Sequence, residues 1–249
     1  MSSVATKAYL RPRAYVRVQG PDAADLLQRL LSNDVLAGES CEALLLTPKG
    51  RVIAPLVVWR RGDDDFLLLT EPELGGTVAG QLRRMRFASR CEIEPEEHTS
   101  AIVFGAAEGI PNADYGVPAV EVLDADGEPA GEELERLRIL ARTPRWGSEL
   151  DESVLPAEAG LDERAVSFTK GCFPGQEPVA RLHNRGHANR RLRVLALEAP
   201  AEPGDQVQLG GEVVGRVTSV VPGLALAYVR VEVPDDAELR VGGNPARLH

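Results

Sequence analysis

The spacing of apolar residues along the chain predicts short strands mixed with a few helices. Three segments carry apolar residues every three or four positions, the period of a helix with one buried face: 22–31, 72–86 and 132–142. Alternating or continuous apolar runs predict strands at 14–18, 44–47, 51–59 and 66–70, near Cys91, and at 102–104 and 119–123. Strands and helices do not alternate strictly, so we predict the α+β class rather than a doubly wound parallel sheet.

The pattern changes after Gly186. Short apolar runs separated by Gly and Pro turns predict strands at 192–197, 206–209, 213–218 and 224–229, with a last one near Ala246. Such regular short strands are typical of a small barrel. We therefore predict an α+β region over residues 1–186, built as two interleaved lobes, and a C-terminal β-barrel over residues 187–249.

Composition narrows the class of partner and the compartment. The chain has 249 residues with 28 basic and 38 acidic side chains, so its net charge of −10 opposes binding to nucleic acids or anionic membranes unless basic residues cluster. We expect no membrane span and no export signal, since no apolar run is long enough. The three cysteines are odd in number and far apart, which argues against a disulfide framework and favours a cytoplasmic location.

The stretch 168–181 carries the most informative chemistry. Cys172 is bracketed by Gly171 and Gly175, so the backbone turns sharply beside the thiol and leaves it sparsely covered. Lys170 and the N-terminus of a following helix would both favour the thiolate form. The alternative is that Cys172 fills space as a small apolar side chain, which is common for an unpaired cysteine.

The octapeptide 170–177, Lys-Gly-Cys-Phe-Pro-Gly-Gln-Glu, resembles the Lys-Gly-Cys-Tyr-x-Gly-Gln-Glu motif of YgfZ-type folate-binding proteins. These are relatives of the glycine-cleavage T-protein, an aminomethyltransferase. Matches also occur at 18–22, 33–35, 47–51 and 215–219, so the resemblance extends along essentially the whole chain. The motif positions in this chain are Lys170, Gly171, Cys172, Phe173, Gly175, Gln176, Glu177 and Arg181.

The resemblance implies a T-protein-like fold whose lobes surround a central, folate-sized cavity. It implies tetrahydrofolate or a derivative as the cofactor, and a role in assembling or maintaining iron–sulfur clusters with effects on iron–sulfur enzymes that modify tRNA. The implied partners are iron–sulfur assembly proteins or client iron–sulfur enzymes.

Four positions depart from the T-protein pattern. Transferases of this type carry an acidic pair where this chain has Ala54 and Pro55, and neither residue can transfer a proton. We therefore do not expect aminomethyl transfer by that mechanism. Leu140 stands where the family places a pterin-gripping carboxylate, and Arg142 where a glycine is usual. Leucine cannot make that bidentate contact, which weakens the prediction of folate binding.

Basic residues concentrate between Lys170 and Arg193, with six basic side chains and one acidic. Such a cluster predicts a site for an anion: a folate tail, a phosphate, RNA or an acidic partner. The scarcity of aromatic residues does not favour RNA. The folate- or anion-binding candidates are Asn33, Asp34, Arg181, Arg185, Arg190 and Arg191.

A metal site is not predicted. His183 and His187 are four residues apart, but Gly186 interrupts the helix between them and arginines crowd the neighbourhood. Cys41 and Cys91 read as buried filler.

The leading hypothesis is a non-enzymatic or only weakly catalytic iron–sulfur accessory factor in which Cys172 is a redox or thiol-exchange group and Lys170 lowers its pKa. Gln176 and Glu177 would orient the turn through its backbone amides. One alternative is a folate-dependent one-carbon transferase using Asp34 or Glu177 as its acid. A second alternative is an anion- or RNA-binding module.

Overall fold

The structure, a computed structural model, describes residues 7–186 and 188–249. The strands are β1 (Ala8–Leu10), β2 (Ala14–Gln19), β3 (Ser40–Leu46), β4 (Val52–Arg60), β5 (Asp65–Thr70), β6 (Glu92–Glu96), β7 (Ser100–Phe104), β8 (Ile110–Asn112), β9 (Ala119–Leu123), β10 (Arg190–Leu197), β11 (Gln206–Leu209), β12 (Glu212–Val221), β13 (Leu224–Arg230), β14 (Leu239–Val241) and β15 (Asn244–Leu248). The α-helices are α1 (Ala23–Leu30), α2 (Gly75–Met85), α3 (Glu132–Leu140) and α4 (Gln176–Arg185).

The strands form three sheets. One sheet has the order β3-β4-β5-β2-β6 and a second the order β1-β7-β9-β8, while the last six strands close into a barrel in the order β10-β13-β12-β11-β14-β15. All pairings between these strands are antiparallel. The predicted α+β class and C-terminal barrel are confirmed.

Helices α1 and α2 cover one face of the five-stranded sheet. The apolar stripe of α1 places Leu26, Leu27 and Leu30 in a cluster that also buries Val78 and Leu82 of α2. Because these residues recur with the helical period, burying them holds both helices flat on the sheet. None of the four helices in the described residues is long and apolar enough to cross a membrane.

The α+β region and the barrel share a core. Phe173 lies in one apolar cluster with Leu44 and Val52 of the five-stranded sheet and with Leu192 and Leu226 of the barrel. The segment that carries the octapeptide is therefore packed between the two parts of the chain. This placement fixes the position of Cys172, the neighbour of Phe173.

A buried polar link joins α3 to the barrel. Arg138, 3% exposed, donates to Glu149 at 3.0 Å and to the carbonyl of Thr143 at 2.6 Å. The other oxygen of Glu149 accepts a hydrogen bond of 2.7 Å from Ser219 on β12. Tyr228 on β13 donates to the Glu149 carbonyl at 2.9 Å. Every charge in this link has a partner, as burial requires.

Most predicted elements lie where the pattern placed them, but three short strands were missed. β1, β8 and β14 have three residues each, too few to show a period of two. The boundary between residues 186 and 187 stays a prediction: the barrel's first strand begins at Arg190, and His187 lies outside the described residues.

Candidate functional site

The turn that carries Cys172 is locked against a second turn from a distant part of the chain. Gly175 has φ +82°, and a Cβ added there would lie 2.5 Å from the Thr47 carbonyl oxygen and 3.0 Å from the Gly50 Cα. Gly50 has φ +74°, and a Cβ on it would lie 3.0 Å from Pro178. Only glycine fits at these two positions. Segments 47–51 and 171–175 are called the interlocked turns below.

Within the interlocked turns, Cys172 faces solvent while its neighbour anchors the backbone. Cys172 is exposed, and a Cβ added to Gly171 would meet nothing within 4 Å. Phe173, in contrast, is 6% exposed. Because the buried side chain of Phe173 fixes the backbone, the exposed side chain of Cys172 points its thiol toward solvent.

The other two cysteines differ from Cys172 in accessibility. Cys91 is buried, and Cys41 is half-buried. Burial raises the pKa of the Cys41 thiol to about 11, although the charge of Lys170 opposes this rise. Burial also raises the pKa of Cys91. Because thiolates are the reactive form, neither group is suited to thiol chemistry at neutral pH.

Lys170 ties the motif to the end of α1. Its ammonium donates to the carbonyl oxygens of Gln28, Leu31 and Asn33 at 2.5, 2.8 and 2.9 Å. Burial lowers the pKa of Lys170 to about 8, opposed by the charge of Asp34. A cation at the C-terminal end of a helix is also favoured by the helix dipole. All three ammonium hydrogens are thereby engaged, and the predicted effect of Lys170 on the Cys172 thiol stays a prediction.

Asn33 and Asp34 form the turn that receives Lys170. The Asn33 amide donates to the carbonyls of Glu42 and Arg164 at 2.7 and 3.2 Å. Asp34 Oδ1 accepts from the Gln28 side chain and from the Leu36 backbone N–H, each at 3.0 Å. These contacts build the loop, and Asn33 also lines a cleft of about 490 Å³ beside Cys41.

Gln176 and Glu177 do not orient the turn in the predicted way. Glu177 accepts a hydrogen bond of 2.7 Å from Arg181, one turn along the exposed face of α4. Among the described residues, neither side chain bonds a backbone amide of the turn. The conformation of Gly175 and its contact with Gly50 fix the turn instead.

The basic stretch does not form one continuous positive surface. Arg190 pairs with Glu158 at 3.0 Å and lies 4.4 Å from the ring centroid of Tyr228. Arg193 pairs with Asp235. Arg191 is exposed and has no ion-pair partner among the described residues, whereas the side chain of Arg185 lies outside them. Two of the six basic side chains of the stretch are therefore neutralised by acids from elsewhere in the chain.

Arg191 meets a second arginine in a groove between α3 and the barrel. Arg142 and Arg191 line two adjoining cavities of about 270 and 470 Å³, which share these two side chains and Leu192. Arg142 has φ +56°, in the region that favours glycine, and Leu140 lines the larger cavity. We call this the arginine groove. From the sequence, Arg142 was noted only as a departure from the T-protein pattern, and its position in the same groove as Arg191 was missed.

Pro55 lines a different, much smaller cavity. Its volume is about 40 Å³, and Arg11, Glu71 and Arg164 also line it. Pockets for cofactors usually enclose about 300–1,000 Å³, so this space does not accept a pterin. The central, folate-sized cavity implied by the resemblance is thus not present beside Pro55. Ala54 lies in the core under α1 and α2.

Half-buried ion pairs fill the space beside Pro55. Arg11 donates to Glu71 at 2.7 Å, and Arg164 approaches Glu42 at 2.6 Å and Asp114 at 2.8 Å. Despite burial, Arg11 and Arg13 hold the pKa of Glu71 below its usual value, and Arg13 and Arg164 do the same for Asp114. The carboxylates of Glu71 and Asp114 therefore stay ionised and paired. Sequence analysis missed them because each partner is distant along the chain.

No group of three or more His, Cys, Asp and Glu side chains in residues 7–186 and 188–249 is arranged to hold a metal ion. His183 stacks on Phe168 with ring centroids 4.0 Å apart, and its Nδ1 lies 3.7 Å from Asp162. The second predicted histidine of that pair, His187, is outside the described residues.

Comparisons with known proteins identify the fold. The crystal structure of the glycine cleavage system aminomethyltransferase T from Bartonella henselae matches with a TM-score of 0.83 and 18% identity, over 98% of this chain and 85% of that one. Residues 189–249 match the family model of the CAF17 C-terminal β-barrel domain. The chain therefore has the aminomethyltransferase T fold with a CAF17-type barrel.

Two relatives sharpen that class. The iron–sulfur cluster assembly factor IBA57 of mouse mitochondria is 26% identical over 88% of this chain and 76% of its own length. A putative chloroplastic transferase of Arabidopsis thaliana is 40% identical, but over 36% of this chain and 20% of that protein. These findings support the resemblance to aminomethyltransferase-like iron–sulfur assembly factors, without singling out the YgfZ-type subgroup.

Proposed function

We propose that this chain is an accessory factor for iron–sulfur cluster assembly or maintenance, and that it acts through the thiol of Cys172. The observation that carries the proposal is the exposed Cys172 on a turn held rigid by Gly175 and Gly50. The similarity to the mouse assembly factor and to the CAF17 barrel model supports the same role.

The thiol has two chemical uses that need a partner. In thiol exchange, the Cys172 thiolate attacks a partner's disulfide, forms a mixed disulfide and displaces one partner thiolate. In transient ligation, Cys172 supplies one sulfur to a cluster whose remaining ligands come from partner cysteines, since one thiolate does not hold a cluster. Both uses require a thiol that a partner can reach, and Cys172 is exposed.

The side chains at and near Ala54 and Pro55 oppose the transferase alternative. Ala54 and Pro55 carry no ionisable group, and the carboxylates of Glu71 and Asp114 near Pro55 are held ionised by arginines. Asp34, a candidate acid, accepts hydrogen bonds from its own loop, and Glu177 pairs with Arg181 on the surface. A steady turnover of tetrahydrofolate with aminomethylated amines would contradict this part of the proposal.

For a folate derivative, the arginine groove is the place that fits. Its larger cavity of about 470 Å³ has the size of a cofactor pocket. Arg142 and Arg191 would hold the glutamate carboxylates, and Leu140 and Val194 would contact the apolar part of the molecule. A bound tetrahydrofolate would supply a one-carbon carrier at this site.

Replacement of Cys172 tests the thiol role. We expect Cys172→Ser to fail to restore iron–sulfur enzyme activities, including those of tRNA-modifying clients, in cells that lack the native copy. Cys41→Ser is the matched control and should restore them, because Cys41 is half-buried with a raised pKa. Full rescue by Cys172→Ser, at an expression level equal to wild type, would rule out the thiol role.

Calorimetric titration with tetrahydrofolate tests the groove. We expect Arg191→Gln to weaken binding about tenfold or more, since a charge-assisted hydrogen bond contributes about 1.5–3 kcal/mol. Arg181→Gln, which removes an exposed and already paired guanidinium of α4, should leave the affinity unchanged. Equal affinity of the Arg191→Gln and wild-type proteins would place folate elsewhere.

A further inference from the structure

Phe87, in the turn between α2 and β6, is the most exposed large apolar side chain of the described residues. It is 86% exposed, whereas the other large apolar side chains on the surface are 37–44% exposed. Its φ is +46°, a conformation that bulky L-residues rarely adopt. The fold therefore holds a phenylalanine in a strained conformation without burying it, and no contact inside the chain accounts for its presence.

The turn around Phe87 is firmly anchored. The Arg90 backbone N–H donates to Asp22 at 2.7 Å, and Arg29 donates to the Ser89 hydroxyl at 3.2 Å. Arg86 closes the turn by donating to the Cys91 carbonyl at 3.0 Å. The backbone of Phe87 is thus held in place, which lowers the entropy cost of any contact that the residue makes outside the chain.

The surroundings of Phe87 are positive in an acidic protein. Residues 83–90 contain four arginines and no acidic residue, while the whole chain has a net charge of −10. Arg83 pairs with Glu94 at 3.0 Å and Arg90 with Asp22 at 3.2 Å. Arg84 and Arg86 are exposed and have no acidic partner among the described residues. Arg84, together with the N–H groups of Arg86 that do not bind the Cys91 carbonyl, is therefore available to carboxylates.

The adjoining face of α2 is smooth. Gly76, Gly80 and Arg84 follow one another at spacings of four residues, which places them on one side of α2, and Phe87 follows two residues after the end of this helix. A Cβ added to Gly76 or Gly80 would meet nothing within 4 Å, so packing within the chain does not require glycine there. At Gly75, in contrast, a Cβ would lie 2.6 Å from the Ala14 Cβ. Glycine at both open positions lets an external backbone approach closely.

We propose that the surface formed by Gly76, Gly80, Arg84, Arg86 and Phe87 docks an acidic α-helix of a partner protein. The partner helix packs against the two glycines, Phe87 enters an apolar pocket beside it, and its carboxylates pair with Arg84 and Arg86. Aromatic and arginine side chains are the residue types that dominate binding energy at protein interfaces. This inference is independent of the function proposed for Cys172.

Charge and geometry favour this occupant over the others. A second copy of the chain placed symmetrically on this surface would bring its own arginines against Arg84 and Arg86, which repel. Single-stranded RNA is bound by successive aromatic stacking platforms, and this surface offers one ring. An anionic bilayer would receive one buried side chain, too little apolar area for stable anchoring.

Site-specific crosslinking tests the proposal in the native host. Phe87→p-benzoylphenylalanine should crosslink to one protein, and mass spectrometry should place the linkage on or beside a helix that carries several acidic residues. The same replacement at Leu36, which is 44% exposed on another surface, is the control. Absence of a crosslink above that control, or a crosslink to RNA, lipid or a second copy, would overturn the proposal.

The captured protein then provides a quantitative test with purified components. We expect Phe87→Gly and Gly80→Leu each to weaken binding at least 30-fold, which is about 2 kcal/mol at 1.4 kcal/mol per tenfold change. Arg84→Gln with Arg86→Gln should slow association and reduce its salt dependence. Arg240→Gln with Arg247→Gln, both on the barrel, is the charge-matched control. Unchanged affinity of Phe87→Gly would contradict the proposal, and since this change relieves strain, loss of folding does not explain a loss of binding.

Discussion

The interlocked turns and the Phe87 turn use the same left-handed backbone conformation for opposite reasons. Gly175 and Gly50 adopt φ +82° and +74° because two backbones meet there with no room for a Cβ. Phe87 adopts φ +46° with its side chain in solvent. In the first case the interior of the protein requires glycine. In the second it would tolerate glycine, so the side chain is retained for a contact outside the chain.

This difference separates inward-facing residues that hold the backbone of the site from residues whose side chains are exposed. Gly175, Phe173 and Lys170 face inward and hold the turn, while the side chain of Cys172 is exposed to solvent. Substitutions of the inward group should therefore lower stability and function together. Substitutions of Cys172 or Phe87 should leave stability unchanged or raise it.

The largest expected effect is at Gly175. Gly175→Ala forces a Cβ to 2.5 Å from the Thr47 carbonyl and strains φ, so we expect a loss of more than about 3 kcal/mol in the free energy of unfolding, measured with urea. Gly171→Ala is the control and should cost less than about 0.5 kcal/mol, since its Cβ meets nothing. Equal urea midpoints for the two variants would show that the turns are not interlocked.

Lys170 should come next. Lys170→Met removes three hydrogen bonds from an ammonium and leaves carbonyls at the end of α1 without that partner, so we expect a loss of about 2–4 kcal/mol in urea unfolding. Lys49→Met, on the exposed tip of the other turn, should change stability by less than about 0.5 kcal/mol. A loss at Lys49 as large as that at Lys170 would contradict an inward role specific to Lys170.

The same lysine predicts a pH dependence. Burial lowers the pKa of Lys170 to about 8, from 10.5, so between these values the unfolded chain binds more protons than the folded one. Stability should therefore rise with pH across this window, and the gain is lost again as pH falls from 10.5 to about 8. After a discount for its partial exposure, we expect wild type to gain about 1–2 kcal/mol relative to Lys170→Met between pH 8 and 10.5. Parallel urea profiles of the two proteins would refute the lowered pKa.

The smallest effect is a gain. Phe87→Gly should raise the free energy of unfolding by about 0.5–1 kcal/mol, because glycine adopts φ +46° without strain and little burial is lost. A thermal melt measures the change. Leu36→Gly, which lacks such a backbone conformation, should not stabilise. A destabilised Phe87→Gly would show that the ring packs on the chain and that the interior of the protein requires it.

Local features were predictable from the sequence, and long-range ones were not. The apolar period of 22–31 placed α1, and the bracketing glycines placed a sharp, exposed turn at Cys172. The contact of Gly175 with Gly50 joins residues far apart in the chain, and no local pattern encodes it. Lys170 was assigned to the adjacent thiol because it is near in sequence, yet its ammonium binds carbonyls 137–142 positions away.

Charge shows the same limit. The stretch 170–193 has six basic side chains, but Arg190 and Arg193 are neutralised by Glu158 and Asp235, which only the tertiary structure brings close. The sequence predicted no function for segment 83–90, because arginines are common at the end of a helix. Its significance depends on the exposure and backbone angle of Phe87, which require coordinates.

The buried link of Arg138, Glu149 and Ser219 has a consequence for how the molecule comes apart. Together with the apolar cluster shared by Phe173 and Leu226, it makes the barrel and the Cys172 turn one cooperative unfolding unit. Hydrogen exchange of amides in β12 and in the turn should then report the same opening free energy. A destabilising substitution in the barrel would therefore also unfold the turn that carries Cys172, although no residue of the motif is changed.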